Sequence, residues 1–151
     1  MSLTESQFIR ERCLGVIRKS SMHEKRWKWT ILDHVHDEIA RQAALQDGEY
    51  PIVSFFAGSD DWTLMTTHRM VGLVDTKRTE IGRSEFSRTD FGDFKQDVES
   101  PRITRAKILV RGGSQIFLYE SGYASMAPIY YFMFWSLKWP AWRETYRLSR
   151  Q

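Results

Sequence analysis

The spacing of hydrophobic positions changes twice along the chain. Residues 4–46 repeat apolar side chains at helical spacing, 51–120 alternate in short runs, and 122–148 return to helical spacing. Thr4 followed by Gln7 has the form of a capping box, and Leu3 ahead of it is placed to pack on Phe8 as a hydrophobic staple. Phe8, Ile9, Val16 and Ile17 give this first helix a modest apolar side, and "KSS" ends it near residue 20. Ser21 and Glu24 make a second box-like pair. The segment "HEKRWKWTILDHVHDEIARQAALQ" then reads as a helix to Gln46, with Trp27, Ile31, Leu32, Val35, Ile39 and Ala43 on its apolar side. "DGEYP" at 47–51 stops it.

From residue 51 the runs are short and rich in β-branched and aromatic residues. "PIVSFFA", "WTLMTTHRMVGLV", "RTEIGRSEF", "ITRAKILV" and "SQIFLYE" are separated by "GSDD", "DTK", "DFGDF" and "RGG". This predicts five to seven antiparallel strands. "KILVRGGSQIFLYE" is the firmest hairpin, because Gly112-Gly113 accepts the positive φ of a tight turn. The polar stretch 87–100 predicts a longer loop with some extended structure.

After Gly122 a final helix runs to about Leu148. Trp135, Trp139, Trp142 and Tyr146 form one stripe, with Tyr131 and Phe132 a turn earlier. Such a stripe predicts a closing helix that faces the sheet. Tyr130, Phe134 and Leu137 lie off it, so the N-terminal helices or a second molecule must cover them. Pro140 cannot donate to the Ser136 carbonyl, which predicts a kink near Lys138. Residues 121–137 carry no charge. That run is only just long enough to span a bilayer. It contains Gly122, Pro128 and three serines, and Lys138 follows at once, so no integral membrane segment is expected.

The elements in order, two N-terminal helices, a run of strands and a C-terminal helix, specify an α+β fold. The natural division is a helical extension at 1–48 and a sheet-plus-helix domain at 49–151. Composition adds three restrictions. The single cysteine, Cys13, cannot form an internal disulfide, and the first residues lack the apolar core of a secretory signal, so a cytoplasmic location is expected. The net charge of +3 is unevenly spread: +1 over 1–48, −4 over 49–101 and +6 over 102–151. A bipolar chain of this kind favours self-association or an oppositely charged protein partner. It lacks the broad basic surface and the stacking platform of a nucleic-acid binder, so no nucleic acid is expected.

Candidate chemistry is sparse. In "DHVHDE" (Asp33–Glu38), His34 and Glu38 share a helix face while His36 points elsewhere. One face then offers two ligands, short of the three or four that a tight metal site needs. A solvated face with Glu38 paired to Arg41 is the simpler reading, and a small enzyme or metal protein built on Asp33–Glu38 is the alternative. Arg10, Arg12 and Arg18 near Cys13 would lower a thiol pKa, but no base is placed for it by sequence. His68 reads as an exposed turn residue. No phosphate loop or other cofactor pattern is present, so no cofactor and no catalytic residue is expected. On the strand 103–111, alternation places Arg105, Lys107 and Arg111 on one face together with Leu109.

The 49–148 region resembles a bacterial pleckstrin-homology-like (PH-like) domain. The resemblance is carried by "WTLMTTHRMVGLV", which is similar to the family's hydrophobic strand, Leu-Thr-x-x-Arg turn and second hydrophobic strand, with Met65, Thr66 and Arg69 at the matching positions. "TEIGRSEF" resembles the next strand, with Ile81 before its turn and Phe86 after it. The 105–120 hairpin and the aromatic helix stand where the family has its last strands and capping helix. The resemblance implies a strongly bent antiparallel sheet, a partial barrel closed by the C-terminal helix, serving as a binding scaffold rather than an enzyme. Lipid binding is not implied: Asp60 and Asp61 occupy the first hairpin, where a phosphate headgroup would be repelled.

The expected function is a non-catalytic protein-interaction module that self-associates or binds one protein partner, as an immunity or accessory protein would. Arg105, Lys107, Arg111, Tyr130, Phe134 and Leu137 are the expected contact residues. The alternative is peripheral attachment to an anionic membrane surface through the basic C-terminal third.

Overall fold

A computed structural model describes residues 3–95 and 98–151. Helix α1 (Glu5–Ser20) begins at the expected capping box. The Gln7 N–H donates to Thr4 Oγ1 at 3.2 Å and the Thr4 N–H donates to Gln7 Oε1 at 2.8 Å. Its buried side is Phe8, Ile9, Cys13, Leu14 and Ile17. Leu3 stays exposed, and the Phe8 ring packs on Trp139, Trp142 and Tyr146.

Residues 21–46 are not one helix. They form a 3-10 turn (Glu24–Arg26), strand β1 (Thr30–Leu32) and a two-turn helix α2 (Asp37–Ala43). Glu120 supplies the reason. Its buried carboxylate accepts hydrogen bonds from the N–H groups of Lys28 (2.9 Å) and Trp29 (2.8 Å) and from the Thr30 hydroxyl (2.8 Å). A continuous helix would consume those N–H groups and strand a carboxylate in the interior, at a cost of about 3–5 kcal/mol. "WKWTIL" also alternates with strand period, and the chain breaks sharply at His23 (φ 58°) and Asp33 (φ 65°). Arg10 grips the Asp33 carboxylate with two bonds of 2.7 and 2.9 Å.

Strands β2 (Pro51–Gly58), β3 (Asp61–Thr66), β4 (Arg69–Val74) and β5 (Lys77–Gly82) join β1 in a five-stranded antiparallel meander. A second antiparallel sheet holds β6 (Thr89–Asp90), β7 (Ile103–Val110) and β8 (Gly113–Glu120). The β7–β8 hairpin turns at Gly112, whose φ is +89°. In the stretch 87–100, residues 96 and 97 lie outside the described residues; the rest supplies β6 and turns.

Strand β8 lies across the first sheet, where the Thr63 hydroxyl donates to the Leu118 carbonyl at 2.6 Å. Among the described residues the two sheets share no ladder and no closed barrel forms. The main core combines Val53, Met65, Met70 and Ile81 of the first sheet with Ile108, Phe117 and Tyr119 of the second, and with α1 and the C-terminal helix. On the opposite face of the first sheet, Ile39 and Ala43 of α2 pack with Trp62, Leu64 and Val71.

The C-terminal helix follows a 3-10 turn at Gly122–Ser125. It consists of α3 (Met126–Met133), a π turn (Phe134–Lys138) and α4 (Trp139–Ser149). The irregularity falls where Pro140 removes a donor. The aromatic stripe does not face the sheet throughout. Tyr131, Phe132 and Trp135 join the main core, whereas Trp139, Trp142 and Tyr146 leave the sheet and meet Phe8 of α1.

Because Glu120 fixes β1, Glu120→Gln is expected to cost about 2–3 kcal/mol in urea unfolding. The exposed Glu85→Gln should stay within about 0.5 kcal/mol of wild type. Equal effects would remove the assigned role of Glu120.

Candidate functional site

The residues of the Leu-Thr-x-x-Arg-like motif meet at the β3–β4 turn. Arg69 is buried. Its guanidinium donates to Glu49 Oε2 at 2.8 Å and Oε1 at 3.1 Å, to Glu80, and to the carbonyls of Ala43 (3.0 Å) and Ala44 (3.2 Å). Those carbonyls are the C-terminal end of α2, where a cation is favoured. Glu49 accepts further bonds from the Gln46 N–H (3.0 Å) and the Thr66 hydroxyl (2.6 Å). Thr66 Oγ1 in turn accepts the N–H groups of His68 and Arg69, both at 3.0 Å. The Tyr131 hydroxyl donates to the Thr66 carbonyl at 2.6 Å. Burial pushes the Glu49 carboxyl upward, yet the bonds from Arg69, Gln46 and Thr66 outweigh it and hold the pKa below its ordinary value. Every group here is satisfied within the chain. The motif locks a turn.

The Asp33–Glu38 cluster is dispersed. His34 is exposed and precedes α2, so the spacing to Glu38 does not place the two on one helix face. His36 precedes the helix, shares a 3.0 Å bond with Ser54 Oγ and rests on the Phe56 ring, and burial lowers its pKa. Glu38 takes hydrogen bonds from Arg41 and Gln42. Among the described residues no group of three or more potential ligands could hold a metal ion. Cys13 sits in the main core, where burial raises its pKa and keeps the thiol protonated. His68 is half-buried rather than exposed, with Nδ1 at 2.9 Å from Thr67 Oγ1. Burial lowers its pKa as well.

The expected contact residues separate into two groups. Phe134 is 0% exposed and cannot meet a partner. The chain supplies its cover through Trp135 and Trp139, at centroid distances of 5.2 and 6.1 Å. Tyr130 is half-buried against the same core, while Leu137 is 65% exposed. Among the described residues, no helix is long and apolar enough to cross a membrane.

The other group stays together. Arg105, Lys107 and Arg111 are all exposed along β7 and its turn. Arg105 pairs with Asp75 at 2.9 Å; Lys107 and Arg111 make no ion pair among the described residues. Ile103 (46% exposed) and Leu109 (45%) lie on the same face of β7, and Ile116 (37%) stands directly opposite Lys107 on β8. A groove of about 410 Å³ lined by Arg88, Asp90, Lys107 and Leu109 borders this face on the β6 side. A second of about 260 Å³, lined by Val74, Thr79, Arg105 and Ile116, borders the other. Alternation alone predicts the cations and Leu109. The same alternation puts Ile103 on that face, whereas Ile116 joins it only through the pairing of β8 with β7.

No family model, no curated protein and no solved structure matches the chain.

Glu49 generates a pH prediction. Its folded pKa lies below the unfolded value, so its contribution is present above about pH 4.3 and is lost as pH falls through the folded pKa. The stability gap between wild type and Glu49→Gln should therefore narrow steadily in urea titrations taken from pH 6 down to pH 3. A gap independent of pH would contradict this account.

Proposed function

We propose that the protein is a non-catalytic interaction module of PH-like fold. It docks an acidic protein surface, a second copy of itself or one separate partner, on the outer face of the β7–β8 hairpin. The observation that carries this reading is the combination of three exposed aliphatic side chains on one face, Ile103, Leu109 and Ile116, with Lys107 on that face and Arg111 at its turn, cations that make no ion pair among the described residues. Aliphatic residues held in water on a rigid sheet match the centre of a protein interface, and flanking charges match its rim. The order of elements supports the PH-like assignment: an antiparallel meander, a second antiparallel sheet lying across it, and a closing aromatic helix. That the motif residues Thr66 and Arg69 serve the turn, and not a ligand, agrees with a scaffold whose function lies on its surface.

Light scattering of the purified protein over a wide concentration range tests self-association, and affinity capture tests a separate partner. Leu109→Glu is expected to weaken the contact at least about tenfold, and Arg111→Glu less so. Association should also weaken with added salt. A protein that stays monomeric at high concentration, and that retains no partner through Leu109, would overturn the proposal.

A further inference from the structure

A third concave site lies between the 83–87 segment and the C-terminal helix, and it shares no residue with the β7–β8 face. It is a cleft of about 330 Å³ whose walls include Phe86, Phe132, Trp135 and Trp139. That volume is at the lower end of the range, roughly 300–1,000 Å³, found for small-molecule sites. The rings are set at angles to one another. Phe86 meets Phe132 and Trp135 edge-on, with centroids 5.0 and 6.4 Å away, and Trp135 meets Trp139 at 5.8 Å. A flat apolar body would find ring faces and edges on more than one side.

Among the described residues the charged side chains lining the cleft are Arg83 and Arg143, and Glu5 offsets the charge of Arg83. Arg83 is held in place by bonds to the Thr67 carbonyl (3.0 Å) and Glu5 (2.6 Å), and it lies over the rings of Trp135 and Trp139 at 5.1 and 5.7 Å. Arg143 is exposed on α4 and makes no ion pair among the described residues. Ser84 and Ser87 add hydroxyls on the opposite bank.

One irregularity of the backbone falls on this cleft. Trp135 and Ser136 belong to the π turn, and π turns recur at binding sites because they displace side chains from helical register.

We propose that this cleft binds a small organic anion with an aromatic body. The ring system lies against Phe86, Trp135 and Trp139, and the carboxylate, sulfonate or phosphate lies at the rim against Arg143. This site is independent of the proposed docking face, and either could exist without the other.

The test uses the full chain and 1-anilinonaphthalene-8-sulfonate as probe, followed by its fluorescence, with N-phenyl-1-naphthylamine as the uncharged counterpart. Saturable binding at one probe per chain is expected, at least about fivefold tighter than for the uncharged probe. Arg143→Glu and the cleft-filling Ser87→Trp should each weaken binding at least about fivefold, while Arg111→Glu on the docking face stays within about twofold. Arg143 and Ser87 are both exposed, and circular dichroism confirms folding of each variant. Absence of saturable binding, retention of affinity in Arg143→Glu, or equal losses in Arg111→Glu and Arg143→Glu would overturn the proposal.

Discussion

A guanidinium taken out of water must be met on all sides, and Arg69 shows what meeting it entails. The two Glu49 oxygens, the Glu80 carboxylate and two carbonyls at the end of α2 converge on it from three segments of the chain. Ion pairs of this depth contribute little net stability compared with an apolar replacement of equal volume. Their effect is on uniqueness: an alternative packing that separates Arg69 from Glu49 leaves a charge unpaired in the interior. Thr66 extends the constraint to the turn itself, and Tyr131 extends it to the C-terminal helix. Sheet, helix α2 and closing helix are thereby registered at one point.

Glu120 repeats the device at the other side of the molecule. A buried carboxylate on β8 takes its three donors from residues 28–30 and so binds β1 to the second sheet. Between these two polar anchors the core is almost wholly apolar and rich in aromatic pairs. With the interior fixed in this way, the outer face of β7–β8 can leave aliphatic side chains in water without risk of alternative burial.

The first helix, the strands after residue 51 and the closing helix were legible because capping, turn glycines and a two-residue alternation are local signals. Thr4 and Gln7 and the alternation of 103–110 each act within a few residues and appear in the structure as read, while the glycine turn is set one residue earlier, on Arg111-Gly112, with Gly113 opening β8. The α+β class with antiparallel sheets follows from them. Residues 21–46 were misread because what breaks the helix is Glu120, some 90 residues away, and no local pattern announces it. Phe134 was misplaced for a related reason: a regular helix puts it off the stripe, whereas the π turn and Trp139 enclose it. The Glu49–Arg69 pair escaped reading altogether, since a lone acid in "DGEYP" looks like a helix stop. The cleft beside Arg83 is equally nonlocal, assembled from residues 83–87 and 132–143.

A double-mutant cycle on Glu49 and Arg69, read by urea unfolding, tests most directly whether the buried pair sets the register of the fold. The account predicts that Glu49→Gln and Arg69→Gln each cost about 3–5 kcal/mol, because each leaves its partner unpaired, and that the double variant costs far less than their sum. Failure of either single variant to fold while the double variant folds is the same result at its extreme. Losses that simply add would contradict the account.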